Sequence, residues 1–236
     1  MRLSVVIPAH NEERYLPACL RSVAAAAAPF PDQVETLVVL NRCTDGTEAI
    51  ARAAGARILR EDAKNLSVIR NVGAAAARGE ILLTLDADSL VSPNLFTEVD
   101  RALATGRYVG GGVRIMFERY SLGLVFTMLL VLPFLLWYRI SGGSFWCRKE
   151  DFDAVGGFDQ ARLSFEDVDF ARRLKAHGRR QGKRFGTLLR ASIVTSCRKF
   201  DQFGDWYLVL HPWLVVQLTR GASRAMADRL WYEPKR

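Results

Sequence analysis

The chain has 236 residues, half of them hydrophobic and a quarter charged, with a formal net charge of +8. That length supports one large α/β domain or at most two small ones, with a core that needs no disulfide or structural metal, and the composition excludes a disordered or fibrous chain. Cys19, Cys43, Cys147 and Cys197 lie far apart in sequence, which argues against a zinc site or redox pair and fits a reducing cytoplasm. The basic excess suits anionic substrates, an acidic membrane surface or nucleic acid. It is densest from Arg172 to Arg184, where a solvated helix face explains it equally well.

The first residues read as a strand and carry no signal-peptide pattern. Leu3–Ile7 is a short apolar run, expected as a buried strand. Glu12–Ala28 is expected as a helix with Asn11 at its N-cap. Val34–Leu40 reads as a second buried strand, Thr47–Ala54 as a helix ending near Gly55, and Arg57–Leu59 as a short strand. Leu66–Ala77 reads as a helix closed by Gly79, Ile81–Leu85 as a strand running into Asp86, and Pro93–Ala104 as a helix capped by Ser92. This alternation predicts a largely parallel, doubly wound sheet. Ligands of such sheets bind at the carboxyl ends of the strands, where three polar segments fall: Pro8–Asn11, Asn41–Asp45 and Asp86–Ser89.

The second half reads differently. Tyr108–Met116 is expected as a strand with a bulge at its three glycines. Ser121–Tyr138 holds 18 residues without a charge, at about the length of a membrane span. Pro133 lies inside it and polar motifs flank both sides, so a helix lying on a membrane is favoured over a span, with a buried core helix as an equal alternative. Trp206–Leu218, with aromatics beside a basic tail, fits a membrane interface or ordinary packing.

Asp86-Ala87-Asp88 ends a strand with two carboxylates that can both address a cation. Hard oxygen ligands suit Mg²⁺ or Mn²⁺ on a diphosphate, although Asp-x-Asp is also common in turns and caps. Asp86 at a sheet centre needs a positive partner, and Arg70 and Lys64 precede it, although Arg70 also reads as a surface helix cation. Glu166, Asp167 and Asp169 open an amphipathic helix, as dipole-favoured carboxylates or with a general base among them. Gly142-Gly143 and Gly156-Gly157 mark tight turns.

In order, Ser4–Glu13, Asn41–Thr47, Arg70-Asn71-Val72-Gly73 with Ala77–Glu80, Leu85–Ser89, and Gly156–Asp159 with Phe165–Asp169 resemble the motifs of family 2 glycosyltransferases, over about residues 1–180. The resemblance implies a GT-A fold, a mostly parallel Rossmann-like sheet flanked by helices, and within it the hydrophobic helical segment is the part able to associate with a membrane. Residues 1–200 would form the catalytic domain, 1–105 its nucleotide-sugar half and 106–200 its acceptor half, and 201–236 a helical tail able to meet a membrane.

It implies a hexosyltransferase-type enzyme that moves a sugar from a nucleotide-diphosphate-sugar, with inversion, to a hydroxyl or phosphate, with no nucleic-acid partner. Pro8, Ala9, Asn11, Glu12, Asn41, Asp45, Arg70, Asp86 and Ala87 would bind the donor, Asp88 the Mg²⁺ or Mn²⁺, Gly142, Gly143 and Glu166 the acceptor, and Asp167 would be the base. Asn41 replaces an Asp of many relatives. No Gln-x-x-Arg-Trp of processive synthases is present. Where some relatives carry a His ligand, this chain has Thr195–Phe200, so Arg198 and Lys199 are candidates for the diphosphate; His211 reads as structural. The apolar segments suggest a lipid-linked or glycan acceptor and work at the inner face of the cell membrane. The alternatives are a nucleotidyltransferase, which lacks a Gly-rich basic loop after the first strand here, and a non-catalytic sugar-nucleotide binder, against which Asp86, Asp88 and Asp167 stand.

Overall fold

The computed structural model describes residues 1–138, 144–162 and 165–211. In chain order the elements are β1 (Leu3–Ala9), α1 (Leu16–Ala27), β2 (Val34–Leu40), α2 (Thr47–Ala53), β3 (Arg57–Arg60), α3 (Leu66–Ala76), β4 (Ile81–Thr84), β5 (Ser89–Val91), α4 (Leu95–Ala104), β6 (Tyr108–Phe117), α5 (Leu122–Tyr138), β7 (Phe145–Arg148), α6 (Lys149–Ala154), α7 (Glu166–Arg180), β8 (Arg184–Thr195), α8 (Arg198–Phe203) and α9 (Tyr207–Leu210). The strands form one sheet in the order β3-β2-β1-β4-β7-β6-β8-β5. β1 lies parallel to β2 and β4, and β2 parallel to β3, whereas β7 runs antiparallel between β4 and β6.

Strand residues alternate between faces, so the two sides of β1 and β2 feed two cores. Val5, Ile7, Val38 and Leu40 meet α1 and α4 through Leu16, Cys19, Leu20, Phe96 and Val99. Val6, Leu37 and Val39 meet α3, α6 and α7 through Ile69, Phe152, Phe170 and Leu174. Phe158 stacks on Phe170 at 4.5 Å, and Phe145 packs edge-on against the same ring. Both faces of the sheet are therefore covered, and its carboxyl edge is left to carry polar loops.

Several boundaries differ from the sequence reading. The first helix starts at Leu16 with Tyr15 at its N-cap position, because Asn11 takes a left-handed conformation (φ 52°) and bonds across to the second loop instead. The cap position of α4 is Asn94; Ser92 donates its hydroxyl to the Asn94 side chain. Asn65 caps α3, its side chain accepting from Ser67 and Val68 N–H groups. The glycines of β6 serve close approach: a Cβ on Gly111 would lie 1.7 Å from the Gly186 carbonyl oxygen and 2.9 Å from the Trp146 ring. Trp146 is fully buried there, and its Nε1 donates to the Gly112 carbonyl at 2.9 Å. The expected bulge exists as a register shift between Tyr108 and Gly110.

As far as Leu132, the described side chains of α5 are not those of a core helix. Leu122, Val125, Phe126, Met128, Leu129, Leu130 and Leu132 of α5 are exposed, whereas Leu124 and Thr127 are buried. Among the described residues no helix is long and apolar enough to cross a membrane. The root of α5 is tied down by Arg119, whose guanidinium pairs with both Asp201 and Asp205, and by Phe126 against Trp206 at 5.6 Å.

Candidate active site

The loops after β1 and β2 are laced together. Asn11 Oδ1 accepts from Thr44 N at 2.8 Å, the Glu12 N–H donates to Thr47 Oγ1 at 2.7 Å, and the Glu13 carboxylate accepts from Gly46 N at 2.9 Å. Asp45 Oδ1 accepts from Thr47 N and Oγ1, at 3.0 and 2.6 Å. Burial pushes the Asp45 carboxyl upward, but these donors outweigh it and hold the group below its ordinary range. Asp45 is therefore a brace of the loop.

Asn41 is buried at the end of β2. Its Nδ2 donates to the carbonyls of Glu61 and Ala63, at 2.5 and 2.9 Å, and its Oδ1 accepts from Arg42. Asn11, Arg42 and Phe165 all hold left-handed backbone (φ 52°, 51° and 57°) in loops bordering this edge. Non-glycine residues adopt that conformation at a cost, and such strain clusters at functional sites.

Asp86 and Asp88 lie in the turn from β4 to β5, one on each side of the buried Ala87. Asp86 Oδ1 accepts from Arg70 Nη2 at 2.9 Å, and Arg70 Nη1 donates to Glu166 Oε1 at 3.0 Å. Arg70 is 3 % exposed, so it is no surface cation, and its guanidinium lies over the Phe158 ring. Lys64, the other cation expected near Asp86, is exposed. Glu166 is driven above the ordinary carboxyl range by burial first and then by the neighbouring Asp167 charge, with Arg70 opposing. Arg70 thus gathers Asp86, Glu166 and the charge of Asp167 around one buried guanidinium. Asp167 sits in the first turn of α7, its Oδ1 accepting from Val168 N at 2.7 Å.

Asp88 faces a second guanidinium. Its Oδ2 lies 3.0 Å from Arg198 Nε in an ion pair and accepts from Ser196 Oγ at 2.8 Å. Arg198 Nη1 also reaches both oxygens of the buried Glu12, at 2.8 Å each. Cys19 donates to the Asp86 carbonyl at 3.8 Å. Burial, then the charges of Asp88, Asp86 and Glu12, push its thiol far up, so it is no nucleophile.

The structure thus brings together Pro8, Ala9, Asn11, Glu12, Asn41, Asp45, Arg70, Asp86, Ala87, Asp88, Glu166, Asp167 and Arg198 around the carboxyl edges of β1, β2 and β4. Gly142 and Gly143 lie outside the described residues, as does the Lys199 side chain. His211 follows α9, its ring 4.8 Å from that of Tyr207. Ser196 is a contact of Asp88 that the sequence reading missed, because nothing local marks a serine 108 residues away as its partner. The basic run on α7 is partly structural: Arg173 pairs with Asp169 and donates to the Val155 and Gly157 carbonyls.

The fold and these loops match known proteins. Residues 4–158 match the model of the family described as "Glycosyl transferase family 2". The chain belongs to that family. Glycosyltransferase AglE of Haloferax volcanii is 29% identical over 221 residues, 86% of this chain and 68% of that protein. An undecaprenyl-phosphate 4-deoxy-4-formamido-L-arabinose transferase of Pseudomonas fluorescens is 34% identical over 122 residues, 48% of this chain. That match takes in 35% of the relative's length, so this family 2 chain corresponds to about a third of it.

Among solved structures, the mannosyltransferase PcManGT of Pyrobaculum calidifontis, in complex with GDP-Man and Mn²⁺, superposes with a TM-score of 0.66 at 19% identity, over 96% of this chain and 66% of that one. S. aureus TarS in complex with UDP-GlcNAc gives 0.66 at 17% identity, over 98% and 70%. At these identities the likeness shows the shared GT-A fold. The family match ends at Phe158, so Glu166, Asp167 and Arg198 are placed by the structure of this chain and not by the family model.

Among the described residues, no three His, Cys, Asp or Glu side chains cluster as a metal site. One carboxylate nevertheless fits a hard cation whose other ligands are substrate phosphates and water, the usual arrangement for Mg²⁺. Asp88, with one oxygen already shared between Ser196 and Arg198, is that carboxylate.

Proposed function

We propose that this family 2 chain transfers a sugar from a nucleotide-diphosphate-sugar to a hydroxyl or phosphate of a lipid-linked acceptor, with inversion at the anomeric carbon. The observation that carries the reading is the pair of ion-pair clusters, Asp86–Arg70–Glu166 and Asp88–Arg198–Glu12, whose Asp86 and Asp88 share the turn between β4 and β5. Four carboxylates and two guanidinium groups stand beside the strained loops that follow β1 and β2. The relatives' names support the donor and acceptor classes: one structure holds UDP-GlcNAc, another GDP-Man, and one relative is named for undecaprenyl phosphate.

In this reading the loops at Pro8–Glu12 and Asn41–Asp45 hold the nucleoside, and Asp86 orients the ribose while Arg70 fixes its rotamer. Asp167 accepts the proton of the acceptor hydroxyl as that oxygen attacks the anomeric carbon from the face opposite the leaving group. Arg198 meets the negative charge that develops on the departing diphosphate. A Mg²⁺ or Mn²⁺ at Asp88 would supply further neutralisation of that leaving group.

A thermal-shift screen of uridine, guanosine and thymidine diphosphate-sugars with Mn²⁺ tests the donor assignment. One donor at a hundredfold its Kd is expected to add about 2.7 kcal/mol of apparent stability. No shift with any of them would sink the reading.

The exposed apolar stripe of α5 supports contact with a lipid surface at the inner face of the membrane. Flotation with anionic liposomes is expected to carry the protein upward, and Leu129→Asp with Phe126→Asp to leave it at the bottom. Equal flotation of both proteins would reject α5 as the contact.

A further inference from the structure

Arg198 opens α8, a helix of six residues. A helix that short has little stability of its own in water, so its surroundings fix its direction. Before the helix, the Asp88 carbonyl accepts from Ser196 N at 3.2 Å and the Asp88 carboxylate from Ser196 Oγ at 2.8 Å. The rest of the fixing falls to one residue between β6 and α5. Arg119 Nη1 and Nη2 grip the two oxygens of Asp205, at 2.8 Å each, while Nη2 and Nε reach Asp201 Oδ1 at 2.5 and 3.2 Å. The Arg119 carbonyl accepts from the thiol of Cys197, at the N-cap position of α8, at 3.7 Å.

Arg119 thus meets α8 just before its first residue, in its middle and just past its end. Arg119, then the Ser121 hydroxyl, hold the Asp205 carboxyl down to about 2, so the fork keeps its charge at neutral pH. The backbone leaves little slack beside it: a Cβ on Gly123 would lie 2.8 Å from the Asp205 carbonyl carbon and oxygen. Phe117 adds an edge-on contact to Phe200 at 6.0 Å.

The Arg119 and Asp201 side chains are 40% and 61% exposed. Ion pairs that exposed add little to stability, whereas a planar fork on two carboxylates fixes direction. Direction matters at the other end of the helix. Arg198 Nη1 donates to both Glu12 oxygens at 2.8 Å, and its Nε lies 3.0 Å from Asp88 Oδ2. A displacement of about 1 Å at a group that meets the reacting atoms can cost about 100-fold in rate.

We propose that Arg119 is a positioning residue for Arg198: it holds α8 at three points, and through α8 it sets where the Arg198 guanidinium stands against Glu12, Asp88 and the leaving group. Among the described residues its own side chain bonds to Asp201 and Asp205, and to neither Glu12 nor Asp88. That Arg198 faces a departing diphosphate rests on the transferase reading above. That Arg119 sets its place rests on the contacts alone.

One test is kinetic. Arg119→Gln is expected to lower kcat for nucleoside diphosphate release by about tenfold to 100-fold, with donor KM and melting temperature close to wild type. Arg119→Lys, a point charge in place of the fork, is expected to fall between. In an Arg198→Lys background, Arg119→Gln is expected to add less than about twofold, because residues that act as a unit are not additive. Losses that multiply, or an Arg119→Gln enzyme at the wild-type rate, would overturn the proposal. Asp201→Asn, at an exposed site, carries the same expectations if Arg119→Gln does not fold.

A second test needs no turnover. The side-chain Nε–H of Arg198, assigned as the NMR signal lost in Arg198→Lys, is expected to shift in Arg119→Gln and to exchange with solvent about tenfold faster. An Arg198 signal that Arg119→Gln leaves unchanged would overturn the proposal whatever the kinetics. A wild-type chain that releases no nucleoside diphosphate from any sugar nucleotide would instead reject the transferase reading, and the NMR comparison would still decide the placement.

Discussion

Asp167→Asn is expected to lower kcat by about a thousandfold while leaving donor affinity and melting temperature close to wild type. The amide keeps the oxygen that accepts from Val168 N at 2.7 Å, so the start of α7 stays as it is. It loses the lone pairs and charge that can take a proton from the acceptor hydroxyl. General-base catalysis contributes about 10²–10⁴-fold, and a loss confined to kcat marks an interaction made only in the transition state. Release of nucleoside diphosphate in the presence of acceptor is the measurement. A variant that turns over at nearly the wild-type rate would show that Asp167 serves the helix start only, and the base would have to be sought elsewhere.

Arg70→Met should have the largest effect on stability. Arg70 is the sole described partner joining Asp86 on the donor side to Glu166 at the start of α7. Breaking a buried ion pair from one side costs about 3–5 kcal/mol, and the 42% exposure of Asp86 places this case near the lower end. For a domain of this size that corresponds to a fall in melting temperature of about 6–12 °C.

The pH dependence has a definite sign. The folded-state pKa of Glu166 lies above its ordinary value, so its contribution to stability is complete below the unfolded pKa, about 4.3, and is lost as pH rises through the folded value. Removing Arg70 raises the folded value further. The deficit of the variant should therefore be greatest at neutral pH and shrink on acidification, and Glu166→Gln in the same background should recover part of it. A deficit that is flat with pH and untouched by the second substitution would mean that lost packing against Phe158, not uncompensated charge, dominates.

What could be read from the sequence follows from how local each signal is. β1, β2 and β4 are short, mostly apolar and largely buried, and each runs into a polar motif, so the sheet edge and its loops are legible. Arg70 was recognisable as a cation near Asp86, but only the fold shows that it is buried and shared with Glu166. Asn11 misled because an Asn before a helix is a common cap, whereas here its side chain serves Thr44 across the cleft.

β5 was overlooked because three residues carry no periodicity. β8 escaped because it mixes charged and apolar side chains along twelve residues, half-exposed over much of its length. The convergence of Asp88, Ser196, Arg198 and Glu12 spans up to 186 residues and has no sequence signature at all. The apolar run at 121–138 was visible, but period and length alone left core and surface equally open; the exposed leucines of α5 decide it.

The position of β7 has a consequence for how the molecule is made. Ile81, Leu82 and Leu83 of the central strand pair on one side with Leu3, Ser4 and Val5. On the other side they pair with Arg148, Cys147 and Trp146, supplied only after the apolar stretch of α5 has been synthesised. While the chain emerges from the ribosome, the strand that leads into Asp86 keeps an open, wholly apolar flank until residue 148 appears, the kind of unpaired edge that invites pairing with another chain. The greasy helix thus precedes, in time, the strand that seals the sheet.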